Sequence, residues 1–130
     1  MAGPSPVVLV LDDDPGIRES LGRLLTAYGY SPLTAGSLDE ATRVIGESTI
    51  DALILDVRLQ EGGTGLDLLR TIRARREFSG TPILILTGAV LSDSEEALIT
   101  SLRAYLFHKP EGFHTLLRFL DTMTDRDQQH

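Results

Sequence analysis

The sequence predicts a doubly wound α/β domain: a five-stranded parallel sheet in the order 2-1-3-4-5, with five helices shared between its faces. Three observations carry that expectation. Short apolar runs alternate with segments of helical period, which is the pattern of repeated strand-helix-strand crossovers. The first, third and fourth runs are apolar throughout, as strands covered on both faces must be. The second run contains a proline, which cannot donate to a ladder, and this order puts that run at an edge.

The first strand is Val7-Val8-Leu9-Val10-Leu11. A helix over Pro15 to Tyr28 follows, with Ile17, Leu21, Leu24, Leu25 and Tyr28 on one face, Asp14 as N-cap and Pro15 in the first turn. Ser31-Pro32-Leu33-Thr34-Ala35 is the edge strand, and Ser37-Leu38-Asp39-Glu40 has capping-box spacing ahead of a helix bearing Ala41, Val44 and Ile45. The third strand covers 52 to 55. A glycine-rich loop leads from it to a helix with Leu66, Leu69 and Ile72, capped by Thr64. The fourth strand follows Pro82 and ends at Thr87, and Ser92-Asp93-Ser94-Glu95 is a second capping box for a helix through Leu102. Tyr105-Leu106-Phe107 is the fifth strand, and Phe113, Leu116, Leu117 and Leu120 line one side of the last helix. Residues 1–6 and 124–130 read as a disordered leader and a frayed tail around a domain of residues 7–123.

Composition excludes several functions. The 130 residues are 42% hydrophobic and 24% charged, the proportions of one soluble globular domain. No cysteine is present, so there is neither a disulfide frame nor a thiolate metal site, and a reducing, cytoplasmic setting is the default expectation. No apolar stretch approaches the ~20 residues that span a bilayer, and the start has no signal-peptide pattern, so no membrane association is expected. A formal charge of −7 without a Lys/Arg cluster repels a phosphate backbone, so direct nucleic-acid binding is not expected.

The chemistry lies at the strand ends. The first strand runs into Asp12-Asp13-Asp14, the third into Asp56, the fourth into Thr87 and the fifth into His108-Lys109-Pro110. In a doubly wound sheet the carboxyl ends share one crevice, with the switch point between strands one and three, so carboxylates, a hydroxyl and an ammonium converge there. A carboxylate attacking a phosphoryl group meets the donor's negative oxygens, so a cation must neutralise the approach. Mg²⁺, with its preference for oxygen ligands, suits Asp13 and Asp56. Without metal the clustered carboxylates repel and at least one pKa rises. Lys109 suits pairing with a phosphoryl oxygen and the Thr87 hydroxyl suits donation to another. Asp14 reads as a helix cap, His108 and His114 as surface groups without ligand spacing, and Gly62-Gly63 as a turn, since no P-loop lysine follows.

These residues resemble the receiver domain of bacterial two-component response regulators, including the chemotaxis regulator, from Val7 to about Met123. The likeness rests on four separated matches in order: Leu11-Asp12-Asp13-Asp14, Leu55-Asp56-Val57-Arg58-Leu59, Thr87-Gly88 and Lys109-Pro110. It implies a flavodoxin-like fold and a phosphoacceptor at Asp56, with Lys109 and Thr87 assisting. It also implies Mg²⁺ held by Asp13, Asp56 and the backbone carbonyl of Arg58, with Asp12 holding metal-bound water. The implied partners are a sensor histidine kinase or phosphotransfer protein and a downstream target or fused output domain. The signalling surface would be the fourth helix, fifth strand and fifth helix, through which a homodimer is conceivable. Such a protein is a signalling phosphoacceptor rather than an enzyme, limited to its own phosphotransfer and autodephosphorylation. The last helix is expected to run almost to the end of the sequence with no output domain after it, which fits a single-domain regulator or a piece of a longer chain.

The pattern is departed from in places. Gln60 stands where the family has proline, and Gly65 comes nine residues after the acceptor instead of eight, implying a longer loop. Leu102-Arg103 replaces Gly-Ala before strand five. Three residues before Lys109 stands Leu106, flanked by Tyr105 and Phe107, so either the register shifts to present an aromatic or the switch is aliphatic. Arg58 and Ala89 occupy positions that in the family tune dephosphorylation. Two other readings remain open: a receiver-like interaction domain that is never phosphorylated, and a small haloacid dehalogenase-like phosphatase in which Asp12, of Asp12-x-Asp14, is the nucleophile.

Overall fold

The protein, as a computed structural model, is described over residues 5–59, 64–109 and 113–124. Gln60, Glu61, the Gly62-Gly63 pair, Pro110 and most of both terminal segments lie outside these residues. Five strands alternate with five helices: β1 (Val7–Leu11), α1 (Pro15–Ala27), β2 (Ser31–Ala35), α2 (Leu38–Glu47), β3 (Ala52–Leu55), α3 (Gly65–Arg73), β4 (Ile83–Thr87), α4 (Asp93–Ser101), β5 (Tyr105–His108) and α5 (Phe113–Met123). All neighbouring strands pair in parallel, in the order β2-β1-β3-β4-β5. The architecture is the flavodoxin-like one expected, with the proline-bearing strand at an edge.

Alternate residues of the apolar strands feed two separate clusters, one on each face of the sheet. Leu9, Leu11, Leu53, Leu55, Ile83 and Ile85 pack with residues of α2, α3 and α4, among them Ala41, Leu69 and Ile99. Val8, Val10, Ile54, Leu84 and Leu86 pack with Leu21 and Leu25 of α1 and Leu116, Leu117 and Leu120 of α5. Strands buried on both sides carry no polar alternation because neither face meets water.

The helix starts follow the side chains expected to cap them. Asp14 accepts from the amides of Gly16 (2.8 Å) and Ile17 (3.4 Å). Thr64 with Asp67, and Ser92 with Glu95, form complete capping boxes. At α2 only half of the expected box is present. Ser37 accepts from the Glu40 amide at 3.2 Å, but the Glu40 carboxylate turns one residue further back, to the Gly36 amide at 2.7 Å. A 3₁₀ turn at Arg76–Phe78, which no periodicity announces, buries Phe78 beneath the α3–β4 connection.

On β5, Leu106 pairs with Ile85 and packs on the α2–α4 side, while Phe107 turns to the α1/α5 side. Tyr105 and Phe107 meet the Phe119 ring at 4.7 and 5.6 Å between centroids. The position three before Lys109 is therefore aliphatic, without a register shift. At the amino edge of the sheet, Pro6, Asp51 and Pro82 border the same cleft as Met123 and Thr124, so α5 ends at the opposite pole from the strands' carboxyl ends. There the buried Tyr30 hydroxyl donates to Asp121 at 2.5 Å and lies 3.1 Å from the Thr124 hydroxyl.

Candidate functional site

The last rungs of the ladder set the acids in place. The amide of Asp12 donates to the Ala35 carbonyl at 3.1 Å and that of Asp56 to the Leu11 carbonyl at 2.8 Å, so both residues remain in register just past their strands. Asp12 and Asp56 are 2% and 5% exposed, and Asp13 is half-buried. One carboxylate oxygen from each of the three lies within 4.8 Å of the others. Asp14 does not join them, because its carboxylate is taken up by the first turn of α1. That separation weighs against the phosphatase reading, which needs Asp12 and Asp14 at one centre.

Lys109 reaches the acids from β5. Its amide donates to the Thr87 carbonyl at 2.9 Å, and its Nζ lies 2.7 Å from Asp12 Oδ2 and 3.3 Å from Asp56 Oδ2. Thr87 is fully buried at the end of β4, and its Oγ1 accepts the Ala89 amide at 3.0 Å, leaving the hydroxyl proton as its donor. His108 is exposed, and His114 lies 3.3 Å from the Tyr28 hydroxyl on another part of the surface.

Burial sets the protonation of the group. Desolvation, reinforced by the charge of Asp12, raises the Asp56 pKa from 3.8 to about 6 against the opposing pull of Lys109. Burial also works against the Lys109 ammonium, yet its hydrogen bond to Asp12 and the charges of Asp12 and Asp56 outweigh that, and its pKa lies above the ordinary lysine value. Three crowded oxygen donors, one of them with its charge disfavoured, fit a hard divalent cation that would relieve the crowding.

Some contacts have no counterpart in the sequence reading. Arg18 Nη1 donates to the Asp12 carbonyl at 2.7 Å and lies over Gly36, where a β carbon would come within 2.8 Å of it. Gly65 lets the start of α3 approach the loop that begins at Asp56; a β carbon there would sit 2.0 Å from the Asp56 carbonyl oxygen. Arg58 pairs with Thr64 across the loop, and its guanidinium is held by both oxygens of Glu95 in α4, at 2.8 and 3.1 Å. An arginine and a glutamate 37 positions apart, each an ordinary surface residue by type, carry no signal of pairing. Gly65 stood out in the sequence only by its spacing, as the mark of a longer loop, and that spacing does not announce the close approach.

The family model for the response regulator receiver domain matches residues 8–121. The transcriptional regulatory protein GlrR of Escherichia coli (strain K12) is 40% identical over 81 residues, covering 62% of this chain and 18% of that protein. The transcriptional regulatory protein AruR of Pseudomonas aeruginosa is 40% identical over 88 residues, covering 64% and 34%. The chain thus spans well under half the length of these curated relatives. Among solved structures, a response regulator receiver protein from Pseudomonas putida superposes with a TM-score of 0.82 at 30% identity, covering 93% of this chain and 99% of that one. The chemotaxis protein CheY4 of Vibrio cholerae gives 0.81 at 28% identity, covering 92% and 98%. TrrA of Thermotoga maritima, solved in complex with Mg²⁺-BeF, gives 0.78 at 28% identity, covering 91% and 98%.

Proposed function

The chain belongs to the response regulator receiver domain family of two-component signalling, and from that membership we propose that Asp56 is its phosphoacceptor within a domain of residues 7–123. The single observation that carries this reading is the Lys109 amine lying within 3.3 Å of Asp56 and 2.7 Å of Asp12, inside a cluster of three carboxylates. An ammonium has three donor protons, so with Asp12 and Asp56 as two partners one remains for a phosphoryl oxygen.

A carboxylate oxygen of Asp56 attacks phosphorus, the phosphorus–nitrogen bond of a partner kinase's or phosphotransfer protein's phosphohistidine breaks, and the imidazole takes up a proton as it leaves. The product is an acyl phosphate. Lys109 holds one phosphoryl oxygen and the Thr87 hydroxyl donates to another, which draws that hydroxyl away from its present geometry. Asp13, Asp56 and the Arg58 carbonyl would hold Mg²⁺, with Asp12 beside it. When bound, the cation neutralises the donor's oxygens as the two negative groups approach. The same site would release the phosphoryl group to water in time, and the α4–β5–α5 face, with Leu106 at the strand position, would carry the change to a downstream protein or a fused output domain.

Incubation with acetyl phosphate and Mg²⁺ tests this directly. Intact mass should gain one phosphoryl group, and the gain should vanish in Asp56→Asn and fall steeply in Lys109→Ala. Label retained in Asp56→Asn but lost in Asp12→Asn would favour the phosphatase. No label in any protein would favour an interaction domain that is never phosphorylated.

A further inference from the structure

We propose that Glu95 is a positioning residue which, through Arg58, latches the acceptor loop to the first turn of α4 and opposes loading of Asp56. The inference rests on the phosphoacceptor reading given above.

The contact is a two-pronged one. Arg58 Nη1 and Nη2 donate to Glu95 Oε2 and Oε1 at 2.8 and 3.1 Å, and the Glu95 side chain is only 22% exposed. Glu95 is itself fixed: its Oε1 accepts the Ser92 amide at 2.9 Å while its own amide donates to Ser92 Oγ at 3.1 Å. The guanidinium therefore grips a carboxylate already tied to the start of α4. Its other end is anchored two residues beyond Asp56, in the loop that pairs Arg58 with Thr64. The pair ties the loop after β3 to the first turn of α4, across the β4–α4 connection.

On the phosphoacceptor reading, the β4–α4 connection shifts relative to the loop after β3 on loading. Thr87 Oγ1 accepts the Ala89 amide at 3.0 Å, so a hydroxyl that turns toward a phosphoryl group strains or gives up that bond. The Ala89 amide then needs another arrangement, and the segment leading to Ser92 shifts. Little resists the shift locally, since Gly88 and Val90 are exposed and Leu91 alone of the connection is buried. What resists it is the fork from Arg58, whose planar geometry is satisfied in the unloaded arrangement and is intolerant of displacement. A partly exposed bidentate pair is worth about a two- to fivefold bias in such an equilibrium.

Titration with beryllium fluoride and Mg²⁺, a phosphoryl mimic followed by amide chemical shifts, tests the latch in Arg58→Ala, Glu95→Gln and the double variant. Glutamine keeps an acceptor for the Ser92 amide, so the helix start survives. Each single substitution should tighten binding about two- to fivefold, and the double should add nothing further, as for two residues acting through one contact. Damage to the fold would weaken binding, not tighten it. Unchanged or weaker affinity in the single variants, or additive effects in the double, would overturn the latch while leaving the acceptor intact. A wild-type protein that binds no beryllium fluoride would overturn the phosphoacceptor reading, and the latch with it.

Discussion

Asp56 meets opposed requirements, since burial shields its carboxyl from water while making the charged form costly. With its pKa raised to about 6, the metal-free carboxyl is neutral below that pH and ionised, at a desolvation cost, above it. The stability this group contributes is full below the unfolded value near 4 and is lost as pH rises through 6. Asp56→Asn, which keeps the neutral shape, should therefore stabilise the metal-free protein at pH 7 by on the order of 2 to 3 kcal/mol and do little at pH 4, as read by urea denaturation. The same proton competes with a cation. Calorimetric Mg²⁺ affinity should weaken by about tenfold for each pH unit below 6 and level off above it. Gly65 constrains the site from behind. In Gly65→Ala the new methyl must displace the Asp56 backbone, so we expect a loss of about 1–3 kcal/mol or more in denaturation, with impaired label uptake in the acetyl phosphate assay. The gathering of Asp12, Asp13, Asp56 and Lys109 was legible because each stands at or just past the end of an apolar run, a discontinuity visible in one dimension. The grip of Glu95 on Arg58 was not, because either residue alone is an ordinary surface charge, and only the folded chain brings them together.

At the scale of elements, strands and helix starts were readable and helix ends were less so. Apolar runs and capping side chains act locally, within a few residues, so their pattern survives without knowledge of the fold. Glu40 shows the limit: its spacing from Ser37 was correct, but the Gly36 amide lay within better reach. The connection from α4 to β5 was also opaque. Arg103 adopts a left-handed backbone with φ of 60°, where glycine would be free of strain. Its carbonyl is nevertheless bound by Arg73, which also donates to the carbonyls of Leu102 (2.8 Å) and Phe78 (2.5 Å). A side chain from α3 thus holds together a turn that its own residues disfavour. Arg103→Gly should raise stability by up to about 1 kcal/mol in chemical denaturation, since the carbonyl contact is retained and the β-carbon clash is removed. Loss of stability in that variant would show that the Arg103 side chain, rather than its backbone, secures the turn.

For the whole molecule, the sheet separates two apolar clusters, and the site sits where neither can flood it with hydrophobic side chains. Fold class was the most legible property, because uninterrupted apolar strands alternating with amphipathic helices admit few arrangements. No helix among the described residues is long and apolar enough to cross a membrane. The least legible property was how the two loops at the crevice are coupled, since that depends on contacts across the sheet's edge and not along the chain. The pole defined by Pro6, Asp51, Pro82 and Thr124 has its own bearing on signalling. A module joined beyond α5 would emerge there, roughly 16 Å of helix away from the chemistry, its root moored by Tyr30 to Asp121. News of what happens at the crevice would reach such a passenger as a tilt of the strut or a change in its flank.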